Sequence, residues 1–120
     1  MRELESTICW KCHQVFQNLG WDVSQEERTE DADYRFDLVL RNNGKLYGFI
    51  EVVCSENLTR KAAALCNIID GYIKENKIPI FVITNGNVYD LYIAGEFWGV
   101  LSVPPTPKNI DVFLGGECSE

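Results

Sequence analysis

The chain has 120 residues, with 11 basic and 18 acidic side chains for a formal net charge of −7, and it is 46% hydrophobic and 12% aromatic. That length suits one domain around one core, and the apolar content excludes a disordered acidic tail. The acidity argues against strong stand-alone binding to phosphate backbones, which draws on clustered Lys and Arg.

Glu3 to Leu19 reads as a helix, because Leu4, Ile8, Cys12, Val15 and Leu19 recur at steps of three and four, flanked by Cys9 and Phe16. Gly20 stands where a helix C-terminal glycine is expected. Trp21 to Ser24 reads as a short strand, and the acidic stretch Glu26 to Asp33 as a solvated loop. Tyr34 to Arg41 and Lys45 to Cys54 are rich in aromatic and β-branched residues and are joined by Asn42-Asn43-Gly44, so they read as a hairpin. Ser55 to Asn57 offers capping oxygens for a second helix over Leu58 to Glu75, with Leu58, Ala62, Leu65, Ile69, Tyr72 and Ile73 as its buried stripe. Ile80 to Thr84 is a continuous apolar run, as in a strand buried on both faces. Asn85-Gly86 turns the chain into Val88 to Ile93, and a further strand covers Phe97 to Val103. Pro104, Pro105 and Pro107 are expected to end regular structure, with Ile110 to Leu114 packing back on the body.

This order predicts an α/β or α+β domain, a single mixed sheet flanked by helices. The connection from Cys54 to Ile80 is long enough for a crossover, so those two strands are expected to be parallel. The domain is assigned to residues 1–103, and residues 104–120 to a Pro-rich extension that packs on it or frays. No apolar run approaches the length of a membrane span, and the charged start lacks a secretory h-region, so a cytoplasmic location and no membrane partner are expected. Five cysteines (Cys9, Cys12, Cys54, Cys66 and Cys118) are an odd number, and reduced thiols are the expectation.

Glu51 is the anomaly of the chain. Strict alternation puts Leu46, Gly48, Ile50, Val52 and Cys54 on one face of their strand, and Tyr47, Phe49, Glu51 and Val53 on the other. Both faces are apolar apart from Glu51, and an enclosed carboxylate costs several kcal/mol unless paired or metal-bound, on the order of the penalty for a buried ion. On the preceding strand Phe36, Leu38 and Leu40 form one face, and Asp37 falls on the other with Val39. Pairing through the Asn43-Gly44 turn brings Asp37 towards Glu51, and two convergent carboxylates suit a hard divalent cation such as Mg²⁺. Salt bridges of each to Arg35, Arg60 or Lys61 are the alternative.

A helix, a hairpin carrying Asp then Glu, a second helix and a strand ending in Thr-Asn-Gly together resemble the PD-(D/E)xK nuclease superfamily. More narrowly, the chain resembles the amino-terminal nuclease domain of type I restriction-enzyme R subunits. The resemblance rests on Asp37 in YRFDLVL, Glu51 in LYGFIEVVC and the segment IFVITNGNVYDLYI, and it runs from the first helix to Val103. It implies a restriction-endonuclease-like αβββαβ core and Mg²⁺- or Mn²⁺-dependent hydrolysis of DNA phosphodiesters. Asp37, Glu51 and the Val52 carbonyl would be the metal ligands, and Glu3 or Glu5 could assist. The superfamily has a lysine two residues after the Glu, where this chain has Val53, so Lys61, Arg60 or Lys45 would have to stand in. The type I group also pairs a Gln with a Tyr on the second helix; here Tyr72 is present, but Ile68 stands at the Gln position. The alternative from another class is an inactive nuclease-fold module for binding or assembly. DNA is then a weak partner in view of the −7 charge, and a protein partner or a homodimer is the other expectation.

Cys9-Trp10-Lys11-Cys12-His13 matches the C-x-x-C-H haem-attachment string. Cys12 already belongs to the apolar stripe of the first helix, the only Met is Met1, and the remaining cysteines lack zinc-ligand spacing. A metal- or redox-linked cysteine protein therefore ranks third. Phe97 and Trp98 are expected in core or edge packing.

Overall fold

The computed structural model describes residues 2–25, 36–54 and 63–114, with side chains from Thr7 onward. Helix α1 spans Arg2–Asn18. Its buried stripe is Cys12 and Phe16, with Ile8, Cys9 and Leu19 packed beside them. Val15, expected in that stripe, is exposed. Successive helical positions are about 100° apart, and the bulkier Phe16 takes the core-facing position, which turns Val15 outwards. Gly20 adopts φ +108 and closes the helix, after which Trp21 N–H donates to the Phe16 carbonyl.

The strands are β1 (Asp22–Gln25), β2 (Leu38–Asn42), β3 (Lys45–Val52), β4 (Ile80–Thr84), β5 (Tyr89–Ile93) and β6 (Glu96–Leu101). They lie side by side in chain order in one six-stranded mixed sheet. Every neighbouring pair is antiparallel except β3 and β4, which run parallel as the crossover length implies. Between them lie a short helix α2 (Cys66–Ile68) and a π-helical turn, Ile69–Ile73. The expected second helix is therefore only partly α-helical where it is described, and Leu58 and Ala62 of its stripe lie outside the described residues. Lys74 N–H donates to the Ile69 carbonyl at 2.9 Å, the five-residue step of a π turn. That wider step lets Ile69, Tyr72 and Ile73 all pack towards the sheet.

Two apolar clusters sandwich the sheet, as an α+β layer arrangement requires. On one face α1 meets Leu38, Leu40, Ile50, Val52, Val82 and Leu91. On the other, Leu65, Ile69 and Ile73 cover Val39, Phe49, Phe81 and Ile83. Pro107, expected to end regular structure, instead opens helix α3 (Pro107–Phe113) behind a Thr106 capping box. The missing N–H of proline is no loss at a first helical position. Ile110 of α3 is buried against the α1 side, and Trp21 Nε1 donates to the Pro105 carbonyl at 2.9 Å.

Strict alternation fails at two places. The β2–β3 register slips between Leu40 and Arg41, so Tyr47 joins Ile50 and Val52 on the α1 side rather than Phe49. Such a bulge inserts one unpaired residue and reverses the faces beyond it. Phe36 likewise leaves Leu38 and Leu40 and stacks on Phe49 across the sheet's other face, with ring centroids 4.0 Å apart. Strand β2 begins only at Leu38, and the bend at Asp37 swings Phe36 over.

Candidate functional site

The site candidates gather where β3 ends. Glu51 lies on the α2 side of the sheet, one residue from Val52 and in register with Ile83 of β4. It is 7% exposed although it is a carboxylate in a central strand. Leu38 pairs with Ile50, so Asp37, the residue before it, arrives beside the last two residues of β3. Asp37 Oδ2 accepts the Val52 N–H at 2.8 Å, a charge-assisted bond that satisfies a strand-end donor after the β2 ladder has stopped. The structure thus brings Asp37, Glu51 and Val52 to one strand end, two of them linked by a direct bond. Hard oxygen donors of this kind suit Mg²⁺ or Mn²⁺. Among the described residues no group of three or more His, Cys, Asp and Glu side chains is placed to hold a metal ion.

The cation positions differ from one another. Val53, where the superfamily has lysine, is 3% exposed inside the α2-side core, and its N–H donates to the Thr84 carbonyl. Lys45 is not brought to the carboxylates. It starts β3, six residues from Glu51, which is about 20 Å along an extended strand, and its ammonium lies 5.2 Å from the Tyr47 ring centroid. Lys61 and Arg60 lie outside the described residues. Tyr72 does face this side, packing against Phe36 and Phe49 at 6.0 and 6.3 Å between ring centroids.

Sequence reasoning missed Asp90. It sits in β5 opposite Ile83, which is itself opposite Glu51. The two acids therefore share one face of the sheet across a single intervening strand, about 10 Å apart at the backbone. Asp90 is 6% exposed, and burial raises its carboxyl above the usual aspartate value. The signal was available: YDLYI places one acid in an otherwise apolar strand, as FIEVV does.

The C-x-x-C-H string packs as a helix stripe. Cys12 is in the α1-side core, where burial, with Cys9 adding to it, pushes its thiol up to about 12. The four described cysteines carry free thiols.

No protein-family model matches this sequence, and no curated protein matches it. Among solved structures, the chain is similar to part of one chain in the cryo-EM structure of a DrdV–DNA complex. The TM-score is 0.55 at 13% identity, covering 80% of this chain and 9% of that one. At that identity the likeness is one of fold, and this chain spans less than a tenth of its neighbour's length.

Proposed function

We propose that the chain is a restriction-endonuclease-like domain of the PD-(D/E)xK type that hydrolyses DNA phosphodiesters with a divalent metal ion. One observation supports this reading: Asp37 and Glu51 are both carried to the end of β3, with Asp37 bonded to Val52 N–H and Glu51 enclosed in a central strand. The fold likeness to part of a DNA complex supports it. In this proposal Asp37, Glu51 and the Val52 carbonyl hold Mg²⁺ or Mn²⁺, and Lys61 replaces the motif lysine. A bound ion there supplies charge neutralisation at the phosphate and a more acidic water. The chain's part is to hold both carboxylates on one strand end and keep Glu51 out of bulk solvent.

Cleavage of plasmid and single-stranded DNA by the full chain, with Mg²⁺ or Mn²⁺, tests the reading. Activity lost in Glu51→Ala and reduced in Lys61→Ala is the expected result. Binding of the ion is read separately from melting temperature. With the ion at tenfold its Kd, the folded state gains about 1.4 kcal/mol, a rise of roughly 4 to 8 °C for a chain of this size. Asp37→Asn should abolish that rise while its amide oxygen still accepts the Val52 N–H.

A second reading is favoured by Val53. An apolar core residue at the lysine position supplies no cation to a transition state, which fits a nuclease fold that has lost cutting and acts as a binding or assembly module. Absence of both cleavage and any metal-dependent rise in melting temperature decides for it.

A further inference from the structure

Strand β6 is the last strand of the sheet, and among the described residues no strand pairs with its outer edge. Natural edges are usually short, charged or covered, because free N–H and C=O groups otherwise recruit another strand. This one is apolar instead. Phe97, Trp98 and Val100 are 55%, 48% and 59% exposed, and Val103, Val112 and Leu114 nearby are exposed as well. Exposed apolar residues concentrated on one edge mark an interaction surface more often than scattered single residues do.

The register assigns these side chains to faces. Phe97 pairs with Tyr92 and packs on its ring at 5.4 Å, and Val100 pairs with Asp90, so both lie on the α2 side. Trp98 is the extra residue where the β5–β6 register slips, and it stacks on Phe113 of α3 on the other side. Asp90 therefore lies behind Phe97 and Val100, a carboxylate nine-tenths buried and set within an apolar surface. Glu96, at the start of the same strand, is exposed and holds Lys74 at 3.2 Å.

We propose that the outer edge of β6 is a docking site for a basic, extended segment of a partner protein, which adds a seventh strand and sets a Lys or Arg towards Asp90 over Val100. Strand addition supplies main-chain hydrogen bonds, and side chains alternating along the added strand supply the selectivity. Charge complementarity selects this occupant. A second copy would bring another chain of net charge −7 and another Asp90 and Glu96 to the same edge, whereas a basic side chain compensates the buried carboxylate. A cation on a long stem can cover Val100 with its methylenes and present its head to Asp90. This proposal stands independently of metal binding at Asp37 and Glu51.

The test uses the full chain and two short synthetic peptides, one alternating Val with Lys and the other Val with Glu. Calorimetry gives affinity, and hydrogen exchange reports which amides the peptide protects. The expected results are binding of the Val–Lys peptide, protection centred on residues 96–101, and little binding of the Val–Glu peptide. Affinity should fall about tenfold in Asp90→Asn, as for loss of one partner of a desolvated pair, and similarly in Val100→Asp, which spoils the apolar contact without touching Asp90. Asp22→Asn, an exposed acid on the opposite edge strand, should leave affinity within about twofold, as expected of an exposed charge. Equal losses in Asp22→Asn and Asp90→Asn, equal binding of both peptides, or absence of protection in β6 would each overturn the proposal. So would sedimentation showing a dimer that Val100→Asp dissociates.

Discussion

Gly48 is the position at which one methyl group should be most damaging. It pairs with Ile80 across the parallel β3–β4 contact, and a Cβ built there would stand 1.9 Å from the Ile80 carbonyl oxygen and 2.7 Å from its carbon. No real Cβ contact falls below 3.0 Å, so the strands must part by about 1 Å at a point where both are buried. A ladder hydrogen bond lengthened by that much is lost, and each buried group left unsatisfied costs about 1 to 3 kcal/mol. Overpacking in a rigid interior adds about 1 to 3 kcal/mol. Gly48→Ala should therefore cost about 2 to 6 kcal/mol, a large part of the 5 to 15 kcal/mol typical of a domain. Urea unfolding measures it through the midpoint at constant slope. Gly99→Ala is the control, because a Cβ there meets nothing within 4 Å, and it should lie within about 0.5 kcal/mol of the parent. A Gly48→Ala protein within about 1 kcal/mol of the parent would refute the close-approach argument. The consequence reaches the candidate site, since the same contact holds Glu51 against Ile83 three residues further on.

Two more predictions concern buried titratable groups. Burial raises the Asp90 carboxyl in the folded chain, so the folded state holds its proton more tightly than the unfolded state does. This contribution to stability is complete below the ordinary value of 3.8 and is lost as pH rises through the raised value. Asp90→Asn should then melt higher than the parent at pH 7, with the gap closing as pH approaches 3.8; a gap independent of pH would contradict it. The Cys12 thiol, pushed up to about 12 in the core, should be the last of the described cysteines to react with a thiol reagent at pH 8, and exposed Cys66 the first. Mass spectrometry of partially labelled protein reads the order directly, and early labelling of Cys12 would show that α1 does not hold it in the core.

Much of the fold follows from local pattern. The three-and-four spacing of Ile8, Cys12, Phe16 and Leu19 specifies α1, the uninterrupted apolar run Ile80 to Thr84 specifies a strand covered on both faces, and Asn43-Gly44 specifies a tight turn, with φ of +54 and +79. Glu51 stood out because an acid in an apolar strand breaks a short-range rule, and Asp37 followed from the hairpin pairing. Other features depend on partners distant in sequence. The slip that turns Tyr47 to the α1 side, the bend that stacks Phe36 on Phe49, and the burial of Val53 two residues after Glu51 are set by which strands meet and where their ladders stop. Periodicity ranks residues by face only while register is unbroken, so a single bulge is invisible to it. The row from Glu51 through Ile83 to Asp90 joins residues almost forty positions apart, and only the closing of the sheet makes them neighbours. The chemistry of each side chain is written in the sequence, but its desolvation and its company come from the packed sheet, because both depend on surfaces that the local chain does not possess.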